Sequence, residues 1–137
     1  MLISRMLIKC DGGSRGNPGP AAIGAVLYDS QNRVITTLSR AIGTTTNNQA
    51  EYQAVIAALE EAVRLGARHV ELKIDSELIV RQLSGLYRVK KAELKPLYQR
   101  IKELQKKLEK LEVSHIPREE NREADRLVNI ALGNTKY

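Results

Sequence analysis

From Met6 to Ile42 the chain offers three strand-length apolar segments separated by turns, and from Thr46 onward helix-period and strand-period segments alternate. That order restricts the fold more than any other feature. Strands joined by tight turns pair antiparallel and strands separated by a helix pair parallel, so the expected fold is a mixed α/β sheet with helices packed on it. Met6 to Asp11 is the first strand and runs into the turn-rich stretch Asp11-Gly-Gly-Ser-Arg-Gly-Asn-Pro-Gly-Pro20. Ala22 to Tyr28 and Val34 to Ile42 form a hairpin through the turn Asp29-Ser-Gln-Asn32.

Thr46-Asn-Asn-Gln49 has the pattern of a capping box, and Tyr52, Ile56, Leu59 and Val63 follow at helical spacing up to Gly66. His69 to Asp75 alternates as a strand, and Leu78 to Leu83 is a short helix stopped by Gly85. Leu94, Leu97, Ile101, Leu104, Leu108 and Leu111 then mark a second long helix with Pro96 near its first turn. The run is under three heptads, so docking on the sheet suits it better than a coiled coil. Val113 to Pro117 is the last strand and Glu119 to Leu132 the last helix, closed by Gly133. With 137 residues the expectation is one domain, residues 1–137, large enough to fold without a staple.

The charge is uneven. Between Arg88 and Lys110 stand nine basic and three acidic residues, so this segment carries the whole formal net charge of +6. A localised basic segment is the footprint of a polyanion partner, or else a solvated helix face. The only aromatics are Tyr28, Tyr52, Tyr87, Tyr98 and Tyr137, which argues against modules that stack single-stranded bases on aromatic platforms. The single cysteine, Cys10, rules out an internal disulfide or a cysteine-based zinc site and fits a reducing cytoplasm. No segment has the length and apolarity of a signal peptide or a membrane span, so no membrane partner is expected. The two histidines, His69 and His115, are too far apart for a His-Glu-x-x-His site, and neither a nucleotide P-loop nor a Gly-x-Ser-x-Gly elbow is present.

What remains is carboxylates in unusual places. Asp11 and Asp75 each end an apolar strand, Glu51 lies in the first turn of the first long helix, and Asp125 lies on the last helix. Singly, each has an ordinary explanation as a turn former, a cap or a partner of the helix dipole. If the first and fourth strands are neighbours, Asp11 and Asp75 project from adjacent strand ends. Clustered carboxylates repel unless cations neutralise them, and oxygen ligands of this kind select Mg²⁺ or Mn²⁺.

Four segments, Asp11-Gly-Gly-Ser-Arg-Gly-Asn-Pro-Gly-Pro20, Thr45-Thr-Asn-Asn-Gln-Ala-Glu51, Ile74-Asp-Ser76 and Asn121-Arg-Glu-Ala-Asp125, closely resemble type 1 ribonuclease H in order and spacing, over essentially the entire chain. The resemblance implies the ribonuclease H-like fold, a five-stranded mixed sheet (three antiparallel strands, then parallel ones) flanked by helices. It implies an endoribonuclease that cuts the RNA strand of RNA/DNA hybrids with two Mg²⁺ ions, for which Mn²⁺ substitutes, leaving 5′-phosphate and 3′-hydroxyl ends. Asp11, Glu51, Asp75 and Asp125 would be the catalytic metal ligands. Asp11 would bridge both ions, Asp125 would complete the site of the ion that activates water, and Glu51 and Asp75 would complete the other. Gly12, Gly13, Ser14, Asn17, Thr46, Asn47 and Asn48 would contact the nucleic acid, Gly12, Gly13 and Gly16 by letting the backbone approach it closely. Activity on double-stranded RNA is the alternative; a non-catalytic hybrid-binding relative would be expected to have lost a carboxylate, and all four are here. The expected protein is a cytoplasmic monomer.

Three departures from the family accompany this. Gly85 to Leu94 is too short for the basic protrusion that some bacterial members carry, and the charged helix Lys95 to Lys110 is the candidate replacement for its grip. A basic residue that some members have near the phosphate-gripping threonine is Thr44 here. The histidine that many members carry on a mobile loop has two candidate counterparts. His115 lies in strand-like sequence, whereas Arg118 follows Pro117 in the loop itself, as in a subgroup that has arginine there. Arginine stays protonated, so Arg118 would grip a phosphate and not act as a base.

Overall fold

The computed structural model describes residues 3–133; both ends of the expected 1–137 domain, with Tyr137, lie outside the described residues. The chain forms β1 (Arg5–Ser14), β2 (Gly19–Tyr28), β3 (Val34–Thr45), α1 (Asn47–Arg64), β4 (His69–Ile74), α2 (Glu77–Leu83), α3 (Lys95–Gln105), β5 (Lys110–His115) and α4 (Arg122–Ala131), with a 3-10 turn at Arg118–Glu120. The five strands lie in the order β3-β2-β1-β4-β5. β1 pairs antiparallel with β2, and β2 with β3, while β1 with β4 and β4 with β5 are parallel. This is the expected mixed sheet, with β1 at its centre.

Alternation along β1 sorts its side chains between two helical layers. Met6, Ile8 and Cys10 are buried on one face with Leu72 and Ile74 of β4. α1 lies across that face, and α3 packs on α1 through Ile101 and Leu104. Each such buried aliphatic side chain is worth about 1.5–3 kcal/mol. The buried Tyr52 hydroxyl donates to Gln82 Oε1 at 2.6 Å, which ties α1 to α2. α4 covers β1, β2 and β3 from the other face. Among the described residues, no helix is long and apolar enough to cross a membrane.

Several boundaries differ from expectation. β1 continues past Asp11 to Ser14 because Gly12, Gly13 and Ser14 pair with Ile23, Ala22 and Ala21 of β2, leaving a shorter loop. The second long helix ends at Gln105 instead of running to Leu111. There the N–H groups of Glu109 and Lys110 donate to the Arg68 carbonyl at 2.8 and 3.1 Å, which starts the parallel ladder with β4. Leu111 thus belongs to β5, not to the helix. The last helix begins at Arg122, after the 3-10 turn and a non-helical Asn121 (φ −118°, ψ 26°). Glu51 lies beyond the first turn of α1, which contains no acidic residue, so the helix dipole does not explain it.

Candidate active site

The four carboxylates arrive from four elements. Asp11 stands within β1, Asp75 one residue past the end of β4, Glu51 on α1 and Asp125 in the first turn of α4. Asp75 does not cap α2, because Ser76 does so by accepting from the Ile79 N–H at 3.3 Å. Oxygens of Asp11, Glu51 and Asp75 all lie within 4.8 Å of one another. Asp125 approaches from the opposite side, near enough for its charge to act on the Asp11 carboxyl, and lines the same cleft.

Two glycines let the helices deliver their acids. A Cβ at Gly12 would sit 2.1 Å from the backbone oxygen of Ala50, the residue before Glu51. On the other face, a Cβ at Gly24 would sit 2.3 Å from the backbone oxygen of Ala124, the residue before Asp125. Gly24 is the cross-strand partner of Asp11. The packing of α1 therefore by itself requires glycine at position 12, which also lines the cleft around the cluster. Gly13 meets only ordinary contacts there, 3.6 Å from Asn47 Oδ1 and 3.8 Å from Val128 Cγ1.

The cluster is electrostatically strained. Burial, followed by the charges of Asp11 and Asp75, pushes the Glu51 carboxyl up to about 8. Burial, followed by the charges of Asp75 and Asp125 and the hydrogen bond to Asp125, pushes Asp11 up to about 7, against a lowering contribution from the Gly12 N–H. Beneath them, burial and then the three nearby carboxylates push the Cys10 thiol well above its ordinary value, so it stays protonated. The clustered donors are thus carboxylate oxygens, close together and mutually repelling. That donor set fits hard divalent cations, whose charge relieves the repulsion.

Around the cluster lies a cleft of about 380 Å³, whose walls include Gly12, Gly13, Ser14, Asn47 and Arg118. Asn47 Oδ1 accepts from the Ser14 N–H at 3.3 Å, and Asn17 Oδ1 accepts from the Asn47 N–H at 2.9 Å, so the loop and the start of α1 form one wall. Thr46 caps α1 in a capping box with Gln49, and Asn48 follows within the first turn. Thr46, Asn48 and Asn17 do not line the cleft itself. Arg118 does line it, and it forms no ion pair within 4.0 Å among the described residues, Glu123 being taken by Arg126 at 3.0 Å. His115 is not among the residues lining the cleft; it is held in β5 opposite Ile74.

Sequence reasoning missed Gly24, Asn129, Asn121 and Arg15. Asn129 donates to Asp125 Oδ2 at 3.5 Å and lines the cleft with Arg15. Its four-residue spacing from Asp125 was the available signal. Nothing local marked Gly24; Asn121 opens the segment Asn121-Arg-Glu-Ala-Asp125, but its partner Cys10 lies far along the chain.

The family model described as reverse transcriptase-like matches residues 9–131. A bifunctional protein of Mycobacterium tuberculosis is 43% identical over 129 residues, covering 93% of this chain, and this chain spans only 35% of that protein's length. The crystal structure of RNase H1 from the archaeon Halobacterium salinarum superposes with a TM-score of 0.93 at 41% identity, covering 96% of this chain and 100% of that one. A compost-derived RNase H1 solved in complex with an RNA/DNA hybrid gives a TM-score of 0.89 at 45% identity, covering 94% of this chain and 97% of that one.

Proposed function

Because the chain belongs to the ribonuclease H family, in its type 1 branch, we propose that it is an endonuclease that hydrolyses the RNA strand of RNA/DNA hybrids. One observation carries this reading: Asp11, Glu51 and Asp75 offer oxygens within 4.8 Å of one another, with Asp125 lining the same cleft. Asp11, Glu51 and Asp75 would hold one Mg²⁺, and Asp11 and Asp125 a second, with Mn²⁺ able to substitute. Such ions, when bound, lower the pKa of water towards neutrality and balance negative charge at phosphorus. The carboxylates keep that charge fixed at one place, and Asn129 orients Asp125. Hydrolysis breaks the P–O3′ bond, leaving a 5′-phosphate and a 3′-hydroxyl. The single buried, unpaired cysteine suits the cytoplasm as the working compartment.

The wall formed by Gly13, Ser14 and Asn47 offers backbone and amide groups to sugars, which suits discrimination by the 2′-hydroxyl and shape more than by base sequence. Incubation of the folded protein and Mg²⁺ with hybrid, double-stranded RNA and double-stranded DNA of one sequence tests this. Cutting of the hybrid's RNA strand is expected; preference for double-stranded RNA would assign a different substrate.

Arg118, which lines the cleft, would grip a phosphate oxygen and help product leave. Arg118→Ala is expected to lower turnover about ten-fold or more with little change in melting temperature, while His115→Ala does much less. Steady-state rates of the two variants check the ranking; the reverse order would make the histidine the working group.

The basic segment is divided by the fold. Lys102 Nζ donates to the Leu83 carbonyl at 3.2 Å, and Arg100 pairs with Glu60 at 3.0 Å, so these two serve the fold. Arg88, Lys90 and Lys91 are exposed and make no ion pair within 4.0 Å among the described residues. They follow Leu86 and Tyr87, which are 71% and 48% exposed, and Arg81 lies 5.4 Å from the centre of the Tyr87 ring. The loop after α2 thus joins the α3 segment, where Lys95, Lys106 and Lys107 are also exposed, as a candidate for the grip on the duplex. Reversing Arg88, Lys90 and Lys91 to Glu should weaken hybrid binding and flatten its salt dependence by about 0.9 in log–log slope for each phosphate no longer neutralised. Binding titrations across a salt series measure that slope, and an unchanged slope would show a solvated surface only.

A further inference from the structure

Asn121 occupies the N-cap position of α4, where an asparagine side chain ordinarily accepts from the helix's own first-turn N–H groups. Here it makes no such bond. The residue is 1% exposed, and its Nδ2 donates across to the backbone carbonyl of Cys10 at 2.9 Å. Its Oδ1 is buried with no hydrogen-bond partner among the described residues. A helix start without its cap and a buried acceptor left unsatisfied both disfavour the folded state, so the arrangement serves something other than local stability.

Its placement shows what it serves. Cys10 immediately precedes Asp11, and the Asn121 carbonyl accepts the N–H of Asp125 at 3.1 Å. One residue thus joins the strand that carries Asp11 to the helical turn that carries Asp125. Two other polar ties between α4 and the sheet lie elsewhere. Ser39 Oγ reaches the Leu127 carbonyl at 2.7 Å, further along the helix, and the Lys9 ammonium reaches the Glu120 carbonyl at 3.3 Å, at the exposed turn before it.

We propose that Asn121 is a positioning residue that sets the separation of Asp11 and Asp125, and with it the affinity and alignment of a divalent cation held between them. The inference rests on the reading of these carboxylates as metal ligands. Groups that orient metal ligands from behind cost about 10–100-fold in affinity or activity when removed.

Asn121→Ser is the discriminating variant, because serine can cap α4 but is too short to reach the Cys10 carbonyl. It should fold, lower kcat on the hybrid about ten-fold or more at unchanged KM, and weaken Mn²⁺ binding by a comparable factor in calorimetry without substrate. A purely structural role would move the melting temperature and leave the Mn²⁺ affinity and the kcat-to-KM split alone; that result overturns the proposal. If the variant does not fold, the wild-type chain decides: Mg²⁺ should shift the Asn121 side-chain amide resonances with the same midpoint as the Asp125 backbone amide, and their failure to shift overturns it. A folded wild type that neither binds Mn²⁺ nor cuts hybrid overturns the functional reading as well, whereas one that does both and is matched by Asn121→Ser overturns this inference alone.

Discussion

Asp11→Asn is expected to abolish cleavage of the hybrid while leaving the metal-free protein at least as stable as the wild type. Asp11 is central to the cluster, close to Glu51 and Asp75 and raised by the charge of Asp125. An amide there keeps the shape but removes a charge that its neighbours repel. A rate above about a tenth of wild type would contradict the assignment of cation-binding work to this residue. The same electrostatics fix the sign of the pH dependence. Asp11 is raised from 3.8 to about 7 and Glu51 from 4.5 to about 8, so between those limits the folded metal-free chain holds protons that the unfolded chain has released. Stability is then full below the ordinary carboxylate values and falls as pH rises through the raised ones. Thermal melts in chelator should show the wild type losing stability from about pH 5 to pH 8, with Mg²⁺ restoring most at the upper end. Asp11→Asn should flatten the profile, and a steeper one would contradict the account.

Gly24→Ala should be nearly as damaging to activity, although Gly24 touches no ligand. Its Cβ would meet the Ala124 carbonyl oxygen at 2.3 Å and the Val128 nitrogen at 2.9 Å, both of them helix backbone that cannot turn aside. α4 must move outward and take Asp125 with it. Overpacking of this kind costs about 1–3 kcal/mol, and a displacement of about 1 Å at a reacting group can cost about a hundred-fold in rate. The expected result is a kcat about a hundred-fold lower, with a melting temperature several degrees down. Gly13→Ala is the control: the added methyl meets nothing nearer than 3.6 Å, and its stability should match wild type. Wild-type kcat in a folded Gly24→Ala protein would show that the close approach of α4 is not what places Asp125.

The strand and helix order was legible because hydrophobic period reports which face of each element is buried, and that is a local property. Leu108 and Leu111 show where the method fails. They continue a helical period across a turn, yet Leu111 sits in β5, where backbone hydrogen bonds to Arg68 and β4 override the pattern. Asp11, Glu51, Asp75 and Asp125 each had an ordinary local explanation and stood out only together and through the motifs that hold them; the structure removes two of those explanations by placing Glu51 beyond the first turn and giving the α2 cap to Ser76. Gly24 was not visible, and Asn121 was visible as part of a motif but not in its role. Their roles exist only where two distant segments touch, and neither composition nor spacing around them records the partner.

The most direct test follows a hybrid labelled in its RNA strand through digestion by the folded protein in Mg²⁺, with the ends of the fragments identified by mass. The account predicts cuts in the RNA strand alone, each leaving a 5′-phosphate and a 3′-hydroxyl, and none once the cation is chelated. Fragments ending in 2′,3′-cyclic phosphate, which arise from attack by the neighbouring 2′-hydroxyl, or cleavage that persists in chelator, would contradict it.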